Sequence, residues 1–142
     1  MKHTIRKKLL LIATVALSGC VLMAFVNPLQ DGKAKKWDVP DASKNAANPK
    51  KGDKASVTNG QALYEKFCKS CHGAKGLGDG SKAKTLDTKC GDFSSKDFQS
   101  QTDGALFYKT KEGRDEMPAY KKKITDDNDI WSIVNYLRTF AK

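Results

Sequence analysis

The segment Cys68-Lys69-Ser70-Cys71-His72 places two thiols and an imidazole within five residues. Thiols three positions apart at a helix end can each add to one vinyl group of a porphyrin, and an imidazole that follows at once is held over the iron. Three rival chemistries use these residues less well. A thioredoxin-like dithiol needs a βαβ setting, which the sequence lacks, and it leaves His72 idle. Zinc would find four donors in Cys68, Cys71, His72 and Cys90, but consecutive Cys and His give an awkward bite for a tetrahedral ion, and the second ligand pair of a ribbon or finger is missing. A disulfide between Cys68 and Cys71 would be strained and would close a very small loop. Covalent attachment of one haem c through Cys68 and Cys71, with His72 on the iron, is the expected chemistry.

The opposite axial position follows by elimination. The chain has two histidines, and His3 lies in the basic N-terminus ahead of an apolar run. Bis-histidine ligation within the domain is therefore excluded, and methionine is the next candidate. Of Met1, Met23 and Met117, only Met117 belongs to the domain, in Asp115-Glu116-Met117-Pro118 between two helical segments. Core filling is the usual work of methionine, yet a filler beside proline in a polar loop would be poorly placed. Lys121, Lys122 and Lys123 compete weakly, because each would first have to lose a proton. The expected iron ligands are His72 and Met117.

The elements that must position these groups are helical. Asn59 or Thr58 can cap a helix whose apolar residues Ala62, Leu63 and Phe67 recur at helical spacing up to Cys68. Gly73, Gly76, Gly78 and Gly80 then mark a loop. Thr102-Asp103 can cap a second helix through Ala105, Leu106 and Tyr108 that ends near Gly113. A third follows Thr125: Asp126, Asp127 and Asp129 suit its positive end, Ile130, Ile133, Val134 and Leu137 form its apolar stripe, and Arg138 closes it. Neither strands nor an internal repeat are evident, so the fold class expected is all-α.

Composition agrees with a small domain carrying appendages. In 142 residues, aromatics make 8% and hydrophobics 39%, too little for a polytopic membrane protein or a deep-cored enzyme. The formal charge of +10 divides as +4 over residues 1–26, +3 over 27–57 and +3 over 58–142. A nucleic-acid binder would concentrate that excess in its folded part, so nucleic acid is not an expected partner.

Three regions follow. Residues 1–26 read as an export signal or anchor: Lys2, His3, Arg6, Lys7 and Lys8 precede an apolar run from Leu9 to Val26. Two anchors are open. Leu17-Ser18-Gly19-Cys20 has the form of a lipobox, which would leave Cys20 lipidated, whereas the whole Leu9–Val26 run is just long enough for an uncleaved spanning helix. A cleaved soluble form is the third alternative. Each places the domain outside the cytoplasm, on the periplasmic side of a bacterial membrane. Residues 27–57 hold Pro28, Pro40 and Pro49 with seven lysines and are expected as a flexible linker, with Trp37 and Val39 either docked on the domain or floating with it. Residues 58–142 form the domain.

The order Gly60-Gln61-Ala62-Leu63-Tyr64, Cys68-Lys69-Ser70-Cys71-His72-Gly73, Gly76-Leu77-Gly78-Asp79-Gly80, Met117-Pro118 and Trp131 through Val134-Asn135-Tyr136-Leu137-Arg138 resembles monohaem bacterial cytochromes c with His/Met ligation. The resemblance spans about residues 58–142, and Trp37-Asp38-Val39-Pro40 to Asn48-Pro49 looks like the lead-in of one bacterial subgroup. It implies a helical cage around haem in which the first and last helices cross at Gly60, with Tyr64 facing Ile133 and Tyr136. A glycine at a helix start is otherwise costly, which suits close backbone contact there. The chain departs from the family in two places. No proline lies between His72 and Met117 to offer its carbonyl to the proximal imidazole, so a backbone oxygen near Thr88–Cys90 is expected instead. Cys90 is a leftover thiol, with burial, intermolecular pairing and an incidental place all open, burial being the expectation.

An iron with both axial positions filled by side chains has no open site for substrate. The implied function is single-electron transfer, without enzymatic turnover or a small-molecule substrate, from a dehydrogenase or quinol-oxidising complex towards a terminal oxidase. Alternatives are an electron-relay subunit fixed in a larger membrane complex, or a haem-based sensor or peroxidase from which Met117 is displaced, although no histidine remains for a distal base. Lys66, Lys69, Lys75 and Lys121–Lys123 either frame a docking edge for an acidic partner or form an ordinary solvated face.

Overall fold

A helix needs its first amides satisfied by a side chain and its end released by a residue that can turn, and both conditions recur along the chain. The computed structural model describes residues 36–142. The basic cluster, the Leu9–Val26 run and Cys20 lie outside the described residues. Helix α1 (Asp41–Lys44) follows Pro40. Helix α2 (Lys54–Phe67) starts earlier than Thr58 or Asn59. Its cap is Asp53, whose carboxylate accepts from the amides of Ala55 and Ser56. Thr58 instead donates its hydroxyl to the Lys54 carbonyl at 3.3 Å, and Asn59 donates to Asp129 at 2.8 Å. Short helix α3 (Lys69–His72) continues after Cys68, and α4 (Lys96–Gln99) is capped by Ser95. Helix α5 (Asp103–Glu112) has the expected Thr102 cap and Gly113 stop, and α6 (Asp127–Arg138) is capped by Asp126. Single 3₁₀ turns stand at Ala83–Thr85 and Tyr120–Lys122. Among the described residues there is no strand, only an isolated bridge between Arg114 and Met117, so the fold is all-α.

The frame is the crossing of α2 with α6. A Cβ built on Gly60 would lie 1.9 Å from the Ser132 carbonyl oxygen, so the two backbones approach where only glycine fits. Small polar groups seal the crossing: Ser56 donates to Ser132 Oγ at 3.0 Å, and Asn135 Nδ2 donates to Ser56 Oγ at 2.9 Å. Below it, Tyr64, Ile130, Ile133 and Leu137 join Phe93, Tyr120 and Ile124 in the main core. Leu106, Trp131 and Val134 make a second cluster, with Phe107 stacked on Trp131 at 4.1 Å.

Residues 36–53, expected as part of a linker, pack on the helices. Val39 is buried, and Gly104 of α5 lies so close to the α1 carbonyls that a Cβ there would sit 2.2 Å from the Ser43 oxygen. Asn48 donates to Asp103 at 3.0 Å and to Asn135 at 2.8 Å, while Asn135 donates to the Lys50 carbonyl at 2.6 Å. Scarcity of apolar side chains pointed to disorder; asparagine bonding to α5 and α6 supplies order by another route.

Candidate functional site

Helix α2 delivers Cys68 at its end, and one further turn brings the other two groups alongside. The amides of Cys71 and His72 both donate to the Cys68 carbonyl, at 3.1 and 2.9 Å. The glycine loop then folds back over this turn: Gly78 N donates to His72 O at 2.9 Å, Gly80 N to Cys71 O at 3.2 Å, and Lys82 N to Ser70 O at 2.8 Å. A Cβ on Gly80 would lie 2.4 Å from the Ser70 oxygen, so the return path is open only to glycine. Buried Tyr64 clamps the start of the loop by donating its hydroxyl to Gly73 O at 2.7 Å.

Both thiols of the turn are free, and burial pushes Cys68 up to about 12, the neighbouring Cys71 adding to it. Burial pulls the His72 imidazole down to about 4, which keeps it neutral and therefore able to ligate. Its ring stacks on Phe93 at 4.5 Å, and its Nδ1 is buried with no hydrogen-bond partner. The acceptor expected from the Thr88–Cys90 segment does not meet it. Cys90 is half-buried rather than fully enclosed, and its thiol is raised by burial, then by Cys71 and Glu116. The carbonyl of Cys90 is what packs closely, 2.2 Å from the place of a Cβ on Gly78.

Met117 arrives on a different element, a tight turn after α5. Arg114 N donates to Met117 O and Met117 N to Arg114 O, both at 2.8 Å, leaving two residues in the turn and Asp115 at φ 51°. Two side chains that the sequence did not single out tie this turn to the rest. Tyr120, three residues on, donates to the Phe67 carbonyl at 2.7 Å beside the cysteine pair; burial first, then Cys68 and Cys71, push its phenol up to about 12. Glu116 accepts the amides of Thr88 at 2.7 Å and Asp87 at 3.1 Å, which hold its carboxyl below the usual range. An exposed acid beside a methionine carries no sequence signal for such a clamp, because its partners are backbone amides nearly thirty residues away.

Two free thiols on one turn and a neutral, half-buried imidazole suit covalent attachment of haem. The orphaned Nδ1 of His72 is the one poor feature of the fit, since a ligating histidine normally donates from its second nitrogen.

The chain matches no curated protein. Among solved structures, one described as "KustC0563 c-type cytochrome" is 28% identical with a TM-score of 0.51, over 58% of this chain and 98% of that one. Residues 55–137 match the family model described as cytochrome c oxidase, cbb3-type, subunit III. That span runs from the first turn of α2 to the last turn of α6 and includes the thiol turn and the methionine turn. The chain therefore belongs to this cytochrome c family and carries a covalently bound c-type haem whose iron serves electron transfer.

Proposed function

We propose that Cys68 and Cys71 hold the haem through thioether bonds, that His72 and Met117 are its two axial ligands, and that the protein is a one-electron carrier with no open coordination site. The observation that carries this reading is a neutral, half-buried His72 whose Nδ1 is enclosed, fused to a pair of unpaired thiols. Bound haem supplies a reversible single-electron couple. The chain's own residues set its conditions: α2 and α6 exclude water with Tyr64, Ile130 and Ile133, Tyr120 and Glu116 hold the methionine turn, and a thioether ligand favours the reduced metal. Residues 58–142 are the electron-transfer domain, delivered to the periplasmic side and held at the membrane through residues 1–26, by a spanning helix or by lipid on Cys20. Electrons pass from a quinol-oxidising complex or dehydrogenase towards a terminal oxidase.

The matched family description, which names an oxidase subunit, favours a second reading in which the domain is a relay fixed in a larger complex. Co-purification from solubilised membranes separates a fixed subunit from a mobile carrier. Ligation is tested with Met117→Ala in the mature, haem-loaded protein. The near-infrared methionine-to-ferric-iron charge-transfer band disappears and the ferrous form binds carbon monoxide at once; a band that survives the substitution removes Met117 from the iron.

A further inference from the structure

Trp37 lies outside the matched span, on the segment that packs beside α5. Its ring carries two cations: the Arg114 guanidinium is 4.5 Å from the ring centroid and the Lys109 ammonium 5.4 Å. Like charges so close repel each other, and Lys109 is pulled below its ordinary range by burial and then by Arg114. A negative aromatic face attracts both and makes the arrangement tenable.

Arg114 is also the residue whose backbone holds Met117. The reciprocal 2.8 Å bonds between them close a turn of two residues, and Asp115 within it already occupies the left-handed region. Such a turn has no slack, so displacing Arg114 displaces Met117. Trp37 in turn is fixed through buried Val39 and through Asn48 bonded to α5 and α6. We propose that Trp37 is a positioning residue for the axial methionine, acting through Arg114 to hold the 114–117 turn against the iron. The inference rests on the reading of Met117 as a ligand.

The test uses the mature ferric holoprotein titrated with imidazole, which competes with Met117 for iron. Trp37→Ala raises the apparent imidazole affinity roughly two- to fivefold, the factor that loss of one exposed cation–π contact gives, and Trp37→Phe restores most of the wild-type value. Ser56→Ala, which weakens the α2–α6 crossing instead, lowers the melting temperature and leaves imidazole affinity unchanged. Equal affinities for wild type and Trp37→Ala, with the charge-transfer band intact, overturn the proposal alone; so does an equal rise in Ser56→Ala. A wild-type protein without the band overturns the ligation reading and this proposal with it. Should Trp37→Ala fail to mature, Trp37→Leu fills the space without a π face, and an unchanged affinity there overturns the proposal.

Discussion

Single atoms decide much of this site. At Gly60 two effects oppose each other: alanine in a helix is favoured by about 1 kcal/mol over glycine, whereas an extra carbon forced into a packed interface costs about 1–3 kcal/mol. The obstructing atom is the Ser132 carbonyl oxygen, part of the buried α6 backbone, which cannot step aside as a flexible side chain would. At so short a contact the overpacking cost lies at the upper end of its range and wins, so Gly60→Ala lowers stability by up to about 2 kcal/mol. Thermal unfolding of the haem-loaded protein measures it, and a melting temperature equal to or above wild type contradicts the close approach. His72 shows the same economy of atoms: its place in the motif was legible in sequence, but the solitude of its Nδ1 was not, because it depends on how distant segments pack around the ring.

Between elements, polar bonds add to the Leu106, Trp131 and Val134 cluster in connecting the N-terminal segment, α5 and the end of α6. Arg138 donates to Asp103 at 2.9 and 2.7 Å and to the carbonyls of Gln99 and Gln101 at 2.9 and 2.6 Å, while Asn48 reaches Asp103 from the other side. Burial opposes the Asp103 ion, but Arg138 and Asn48 outweigh it, so its carboxyl titrates below the ordinary range. A carboxyl whose pKa is lower folded than unfolded contributes stability above the unfolded value, and that contribution is lost as pH falls through the folded one. Melting temperature therefore drops from about pH 4 downward, and Asp103→Asn flattens that acid limb while lowering stability at neutral pH. Identical acid slopes for the two proteins would assign the loss to other groups.

Taken whole, the domain from residue 58 onward carries a formal +3, with Lys121, Lys122 and Lys123 exposed just beyond the methionine turn. If these lysines form the docking edge, their field would draw an acidic redox partner over about 10 Å at 0.1 M salt. Raising ionic strength slows electron exchange with such a partner, and changing all three lysines to glutamine lowers the rate at low salt and flattens its salt dependence. Stopped-flow reduction at several salt concentrations reads this directly; an unaltered salt dependence in the triple variant moves the docking surface elsewhere. Among the described residues, no helix is long and apolar enough to cross a membrane.

What the sequence determined by itself was whatever depends on neighbours along the chain. The thiol–thiol–imidazole order, the Thr102 cap, the glycine loop and the apolar stripe of α6 are signals within a few residues of one another, and they specified helices and haem chemistry. The tertiary structure alone decided what depends on distant partners. Asn48 and Trp37 turned an expected linker into packed structure, and Glu116 and Tyr120 secured the methionine turn. Polar side chains that bond to remote backbone leave no periodic trace in composition, since their energy comes from a geometry that exists only once the chain has closed.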